Sequence, residues 1–342
     1  MCNNIKKIET EVKFMKAMTI NDQKQLGIDD IQISDMPIPK LSNNEVLIKL
    51  HAVALNPVDY KLTENHNAKW SYPHILGLDG AGEIVKISND NPKNFKVGER
   101  VFFHNDLSKN GTFAEFAKAK SNVVSRIPDT VPYESAAAIL CSGLTAYQAM
   151  YRKMSLIGKK TVLIHAGAGG VGGIDIQLAK HSGLTVITTV SKHKVEFAKK
   201  LGADFVIDYK SENVNRTINE ITNGIGVDLI INTIGGNSVQ EDLKRLSYNG
   251  GLVTILNTPD ISNYDLRKNG QNILTLNLGG VHQSKNESQL NDLSKMEDEL
   301  IQLVKDGIVD PMVNEIIDFK DIPNGLRKIK EHKTVGKIIA RI

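Results

Sequence analysis

The sequence predicts an α/β fold, with a doubly wound parallel sheet of six strands joined to a second, β-rich domain. Three observations predict it. The run Thr161-Val-Leu-Ile-His-Ala-Gly167-Ala-Gly169-Gly170-Val-Gly172 is apolar, breaks into glycines, and resumes with Ile174, Leu178 and Ala179 at helical spacing. That pattern reads as strand, tight turn and helix. Strand-like and helix-like segments then alternate as far as residue 278, and such alternation implies parallel strands. The first third of the chain has no dominant helical period, only short alternating runs broken by turn residues.

In chain order, residues 1–14 are polar and charged, lack the apolar core of a signal peptide, and read as a loose N-terminal extension. The fold is expected to begin near Met15. Residues 45–53 and 82–87 alternate like strands, 97–103 reads as a turn feeding a strand, and 111–117 as a further one, giving a small, closed or strongly curved β domain. Around Pro128, Pro132 and Ser135 the pattern turns helical and leads toward Tyr147 and Met150, which marks a domain boundary. After the run opening at Thr161, strands are expected at 184–190, 205–207, 227–231, 251–256 and 272–278. One intervening helix carries Val214, Thr217, Ile218 and Ile221, another Val239, Leu243 and Leu246, and Gly250-Gly251 reads as the turn before the fifth strand. A helix at 287–304, a β stretch opened by Pro311 and a last strand within 334–341 complete the chain, which should return to its first domain. The domains are thus expected at 15–137, 138–284 and, rejoining the first, 285–342. No internal repeat is visible.

The chain has 342 residues, enough for two domains, and its 41 % hydrophobic content can fill sizeable cores. A net charge of +3 and 5 % aromatic residues, with no long single-sign run, argue against a nucleic-acid partner, and no stretch is long and apolar enough for a membrane. A small-molecule substrate is expected instead. Cys2 and Cys141 are too few for a disulfide framework or a four-cysteine zinc lobe, as in a reducing compartment, so a cytoplasmic location is expected.

Glycines after a strand let the backbone turn sharply and approach a pyrophosphate, while free N–H groups at the helix start attract its charge. Gly167, Ala168, Gly169, Gly170, Val171 and Gly172 are therefore expected to hold a dinucleotide. At the end of the second strand an enzyme preferring NAD places an acidic residue on the ribose 2′-hydroxyl. This chain has Ser191, Lys192, His193 and Lys194 there. Basic side chains in the first turn of a helix oppose its dipole, and a bound anion removes the conflict. The 2′-phosphate of NADP suits the place, with Ser191 donating a hydrogen bond and Lys192 or Lys194 supplying charge; a solvated lysine pair is the alternative. NADPH is the expected cofactor. Asn232, Thr233 and Gly235, and Leu256 with Asn257, end the fourth and fifth strands at the edge where open sheets bind ligands, and are assigned to ribose and nicotinamide contacts.

Two domains, with a nucleotide sheet inserted late and the chain returning to its start, resemble the medium-chain dehydrogenase/reductase superfamily over nearly the whole chain. The resemblance is carried by Asn56-Pro57-Val58-Asp59-Tyr60-Lys61, Gly77-Leu-Asp-Gly-Ala-Gly82, Val97-Gly-Glu-Arg-Val101, Gly143-Leu-Thr-Ala-Tyr147, the glycine turn, and Leu201-Gly-Ala-Asp204. It implies a GroES-like β-rich catalytic domain beside a Rossmann sheet. Within the superfamily the sequence is similar to the zinc-free quinone oxidoreductases and the alkenal and enone reductases. In the zinc alcohol dehydrogenases of this superfamily the metal takes a cysteine from the loop held here by Asn56 and a histidine where this chain has Leu78. Only Cys141 resembles a ligand, and one thiolate cannot build a catalytic zinc site, so no metal is expected. Cys141 reads as a small buried residue rather than a redox-reactive thiol, and His51, His74 and His104 as satisfied structural histidines.

Without metal, donors or a cation must stabilise the negative charge that appears on the acceptor oxygen as hydride arrives. The resemblance places the loop 56–61 there, with the amide of Asn56, the phenol of Tyr60 and the ammonium of Lys61. Lys61 leads, because the alkenal reductases share Asn-Pro-Val-Asp followed by any residue and lysine, where many quinone oxidoreductases carry tyrosine. The proton could come from water or Tyr60. A solvated Lys61 and an Asn56 that only forms a turn are the alternatives. The resemblance also puts Thr145 beside the nicotinamide and Tyr209 beside the 2′-phosphate, with Tyr147 in packing. The implied function is NADPH-dependent, zinc-independent hydride transfer to a quinone or α,β-unsaturated carbonyl compound. An enoyl-thioester reductase, or a non-catalytic relative that binds single-stranded RNA or is structural, are the alternatives. The sixth strand, at a sheet edge, predicts a homodimer, and loops 63–72 and 281–288, with Trp70 and Tyr72, are expected to shape the acceptor pocket.

Overall fold

The computed structural model of the chain describes residues 13–342 apart from 23, 25–26, 65–68 and 285. The expected N-terminal extension lies almost wholly outside the described residues, as do Cys2 and part of the loop 63–72. The first strand, Phe14–Ile20, opens where the fold was expected to begin.

Six parallel strands form the sheet implied by the alternation. Their spatial order is Phe205–Asp208, Thr185–Val190, Thr161–His165, Val227–Asn232, Leu246–Thr254 and Asn272–Thr275. The chain builds outward from Thr161–His165 in one direction and then returns to its other flank with Val227–Asn232. The glycine turn therefore sits at the switch point, where open sheets bind ligands. Alternate residues of each central strand serve opposite cores, since side chains alternate across a strand. Leu163, Ile187, Ile230 and Leu252 join the helices carrying Ile218 and Leu243, while Val162, Ile164, Val186 and Ile231 join the helix carrying Ile174 and Leu178.

The fifth strand begins earlier than the sequence suggests. Leu246 opens it instead of closing a helix, and Gly250 and Gly251 lie inside it rather than in a preceding turn. A side chain at Gly250 would place Cβ 2.9 Å from the carbonyl oxygen of Ser247, so the glycine relieves crowding within a strand. The sixth strand stops at Thr275, because Asn277 accepts a hydrogen bond from the N–H of Gly280 and starts a 3₁₀ turn, Leu278–Gln283.

The second layer is a strongly curved sheet of seven strands. Val313–Asp318, Lys337–Arg341, Glu45–Ala54, Asp79–Ile87, Arg100–His104 and Val124–Arg126 follow in that order, with Phe116–Lys120 paired to Glu45–Ala54. The C-terminal strand runs antiparallel beside Ala52–Ala54. An outer sheet of Gln32–Pro37, Phe14–Ile20 and His74–Ile75 lies against it. The strand expected at 111–117 is shifted to Phe116–Lys120. Gly111 and Phe113 instead donate N–H groups to the carbonyls of Ile75 and Leu76, and a Cβ on Gly111 would lie 2.1 Å from the oxygen of Gly77. The helix Ile322–Lys330 is an element the sequence reading lacks, although Pro323 near its start and buried Ile322 and Leu326 carry its signal.

Helix Tyr133–Ala138 packs on the curved sheet and helix Cys141–Tyr147 on helix Gly170–His181, so the chain crosses between layers at residues 138–141. Within Gly170–His181, Asp175 is fully buried and neither carboxylate oxygen has a partner. Burial pushes its carboxyl well above the usual range. Its unfolded pKa is lower, so folding takes up a proton, and stability from this group falls as pH rises above about 4. Asp175→Ala is expected to stabilise the fold by about 1–3 kcal/mol at pH 7. Urea unfolding measures the gain, which should shrink on acidification; a less stable variant at pH 7 contradicts this reading.

Candidate functional site

The glycine turn has the geometry of a phosphate seat. Ala166 takes a positive φ of 54°, the Gly169 N–H donates to the carbonyl of Ala166 at 2.9 Å, and no side chain caps the start of helix Gly170–His181. The first N–H groups of that helix are thus left for an anion. A Cβ at Gly172 would lie 2.5 Å from the oxygen of Ala166, and one at Gly167 would lie 2.1 Å from Oγ1 of Thr188, so both are needed for close strand–helix packing. At Gly169 the nearest atom is 3.2 Å away, which leaves that face open to a ligand. Ala168 is buried and Val171 half-buried beside them.

At the end of strand Thr185–Val190, Ser191 is nearly buried, with Oγ 3.4 Å from Nδ1 of His193. Lys192–Lys194 form a 3₁₀ turn, and the α-helix starts only at Val195. Tyr209 is half-exposed and its N–H donates to the carbonyl of Val190, which brings the end of the third strand alongside. Burial and the like charge of Lys210 push the Lys194 ammonium down from its usual value. Asp208, beside Lys192, is itself held low first by the hydroxyl of Ser211, 2.6 Å away. Lys210 joins the cations here unannounced by the sequence reading; its signal was its place directly after Tyr209. Lys194 also donates to the carbonyl of Thr334 at 2.8 Å, which ties this corner to the C-terminal segment.

That segment reaches the loop 56–61. Asn56 precedes the short helix Pro57–Lys61; its backbone N–H donates to Asp59 at 2.7 Å and its side-chain amide to Asp79 at 2.7 Å. The buried Lys337 donates to Oδ1 of Asn56 at 2.5 Å and to the carbonyl of Leu55 at 3.1 Å, and Asp79 accepts the N–H of Cys141 at 3.1 Å. Burial pushes the Asp79 carboxyl up to about 6 against the pull of Lys337 and Asn56, and pushes Asp59 up to about 8. The side chain of Asn56 is therefore spent on holding the loop, in keeping with its reading as a loop-forming residue. Cys141 is half-buried, and burial with Asp79 nearby pushes its thiol up, the reverse of what a reactive thiolate needs.

Successive residues of a helix point about 100° apart, so Tyr60 and Lys61 do not share a face. Tyr60 is buried in the core of the β domain, with the Lys330 ammonium 6.0 Å from its ring centre. Lys61 is exposed and has no hydrogen-bond or ion-pair partner among the described residues. Thr145 is buried in helix Cys141–Tyr147, and the hydroxyl of Tyr147 donates to Glu299.

At the sheet edge, Asn232 offers no free side chain. Its amide donates to Asp242 at 2.6 Å and Ser238 at 2.9 Å, and its oxygen accepts the N–H groups of Ile234 and Gly235. Asn257 accepts the N–H of Gly236 at 2.7 Å, Thr233 donates to the carbonyl of His165, and Leu256 is half-exposed. These residues shape the edge, and Leu256 presents an apolar surface there. Behind them His165 lies 2.9 Å from Asp242 and 3.0 Å from Thr189, a buried network that the sequence did not announce. His51 stacks on Tyr133 and His104 meets His282 at 3.3 Å. His74 stacks on Trp70 but has no hydrogen-bond partner among the described residues, so it is not the satisfied histidine expected. Among the described residues no three His, Cys, Asp or Glu side chains gather to hold a metal ion, and no helix is long and apolar enough to cross a membrane.

Comparison with known proteins agrees with this architecture. Residues 170–294 match the zinc-binding dehydrogenase family and residues 42–129 the alcohol dehydrogenase GroES-like domain. The chain is 30 % identical to the mitochondrial NAD(P)H oxidoreductase RTN4IP1 of Danio rerio, over 87 % of this chain and 84 % of that one. The quinone oxidoreductase of Coxiella burnetii superposes with a TM-score of 0.80 at 27 % identity, covering 96 % of this chain and 100 % of the other. Mycobacterial Rv1454c complexed with NADPH superposes with a TM-score of 0.81 at 27 % identity, with the same coverage of 96 % and 100 %. A GroES-like domain, a six-stranded parallel nucleotide sheet and these relatives lead to one conclusion: the chain belongs to the medium-chain dehydrogenase/reductase superfamily, in its quinone oxidoreductase branch.

Proposed function

We propose that the protein is an NADPH-dependent, zinc-independent reductase that transfers hydride to a quinone or an α,β-unsaturated carbonyl compound. The observation that carries the reading is the loop 56–61, where Asn56 and Asp59 are locked by hydrogen bonds while Lys61 is an exposed cation with no partner among the described residues. A cation so placed is free to meet the oxygen on which charge develops. The residues around the glycine turn fit a nicotinamide dinucleotide, which supplies the hydride when bound. Gly169, Gly170, Val171 and Gly172 hold its pyrophosphate through backbone N–H groups, and Thr145 borders the nicotinamide. Thr233, Leu256 and Asn257 border the ribose and nicotinamide at the sheet edge, with Asn232 fixing their loop. Asn56 and Leu78 stand where the zinc enzymes place a cysteine and a histidine, and the single thiol of Cys141 cannot build a catalytic zinc site.

Ser191, Lys192, Lys194 and Tyr209, joined by Lys210, select the 2′-phosphate. Replacing Lys192 and Lys194 together by alanine is expected to weaken NADPH binding about 10²-fold, since charge-assisted hydrogen bonds contribute about 1.5–3 kcal/mol each. NADH binding should change less than about 3-fold. Fluorescence titration with both nucleotides checks this, and equal losses for the two contradict the assignment. Screening NADPH oxidation against quinones, alkenals and enones tests the substrate class; turnover confined to simple alcohols and ketones would contradict it. The sheet-edge strand Asn272–Thr275 is the proposed homodimer contact, and the cysteine content suits a cytoplasmic location.

A further inference from the structure

We propose that the cavity between the outer sheet and strand Phe116–Lys120 is a second binding site, for a medium-chain acyl carboxylate. The cavity is about 570 Å³, within the size range of small-molecule sites. It contains none of the residues assigned to the nucleotide or to the loop 56–61, but Ser71 and His282 belong to the loops 63–72 and 281–288 expected to shape the acceptor pocket, so the cavity borders that pocket and the reductase activity of the variants below is what tells the two apart.

Its walls are apolar. Met15, Met36 and Ile75 of the outer sheet, Phe116 of strand Phe116–Lys120 and Leu290 of helix Glu287–Lys305 line it. Ser71, Asn105, Ser108, Asn110 and His282 add polar groups, and His74 stands out among them. His74 is 3 % exposed, lines the cavity and has no hydrogen-bond partner among the described residues. Its ring lies flat on Trp70, with centroids 4.0 Å apart and planes at 9°. With no protein partner for its ring nitrogens among the described residues, the imidazole is available to a ligand. Burial holds the imidazole neutral, with its pKa down to about 4, so it has an N–H to donate.

The rim is basic. Four lysines line the cavity against two carboxylates, Glu45 and Asp106. Glu45 is paired with Lys118 at 2.8 Å, and Asp106 accepts from the backbone and hydroxyl of Ser108. Lys40, Lys109 and Lys120 are left with no ion-pair partner among the described residues. Apolar walls, an imidazole donor and unpaired ammonium groups together complement a chain of carbons that ends in a carboxylate. Neither an uncharged chain nor a bare anion uses all three features.

Trp70 is the only tryptophan of the chain, and its contact with His74 makes its fluorescence a reporter of this cavity. Titrating the full-length protein with octanoate is expected to give a saturable change in that fluorescence, with calorimetry showing one site. The double variant Lys109→Gln with Lys120→Gln should bind octanoate at least ~10-fold more weakly and lose most of the salt dependence. His74→Phe, which keeps the stack on Trp70, should weaken binding to a similar degree by calorimetry. NADPH oxidation by the lysine double variant should be unchanged, which separates failure of this site from failure of the reductase reading. The inference is overturned if octanoate does not saturate below ~10 mM. It is also overturned if the variants bind it as the parent does, if 1-octanol or inorganic phosphate binds equally well, or if octanoate displaces NADPH.

Discussion

Replacing Lys61 by alanine is expected to lower kcat for an enone or quinone by roughly 10²–10³, the cost of losing one stabiliser of a developing oxyanion. NADPH affinity should be nearly unchanged. The structural cost is small, because Lys61 ends a short helix, is exposed, and has no partner among the described residues. Asn56 and Asp59 hold that helix without it. An effect confined to kcat therefore isolates a role in the transition state from a role in folding. Lys61→Arg should recover part of the rate, since it restores the charge with a different shape. Steady-state rates with several acceptors provide the check, and unchanged turnover across all of them would remove Lys61 from the mechanism.

Lys337→Met is expected to cost about 3–5 kcal/mol of stability, because it breaks a buried charged network by removing one partner. The oxygens of Asn56 and Leu55 lose their donor, and Asp79 loses the cation that offsets its burial. The damage should reach the nucleotide as well. The stem of Lys337 lies 3.0 Å from where Gly170 would carry a Cβ, and the N–H of the neighbouring Gly336 donates to the carbonyl of Ala168. The deficit depends on pH in a known direction. Asp79 is raised in the folded state, so its contribution is fully present below the unfolded carboxylate pKa of about 3.9 and is lost as pH rises through its folded value of about 6. Removing Lys337 raises that value further and extends the loss to higher pH. The variant should therefore fall further below the parent at pH 8 than at pH 5 in urea unfolding, whereas equal deficits would contradict the coupling to Asp79.

The nucleotide sheet was legible because its physics is local and repeated. Each central strand is a buried apolar run, each helix follows at its own period, and the glycine turn admits few other uses. Legibility failed where local signals conflict with long-range packing. Gly250 and Gly251 look like turn residues, yet both lie within the strand: Gly251 pairs with Leu229 and Asn272, while Gly250 sits in the register shift between the pairs Val227–Leu246 and Leu229–Gly251. The segment 111–117 alternates like a strand, but Gly77 and Gly111 pack so closely that its first residues bond to the outer sheet.

The site divides in the same way. The glycine turn, Ser191 and the lysines stand in one stretch of chain, and their order is what suggests the proposed use. Lys337 meets Asn56 across 281 residues, and nothing in either local sequence names the other. Tyr60 and Lys61 are neighbours in sequence, and only the rotation of a helix separates a core tyrosine from an exposed lysine. His74 appeared as one more structural histidine because stacking and hydrogen bonding cannot be told apart without coordinates.

The most direct test of metal-free conjugate reduction follows deuterium from 4-deuterated NADPH into an α,β-unsaturated ketone, using protein treated with a strong zinc chelator. The account predicts one deuterium at the β-carbon, at the rate of the untreated protein. Deuterium on the carbonyl carbon, or activity lost on chelation and restored by zinc, would contradict it.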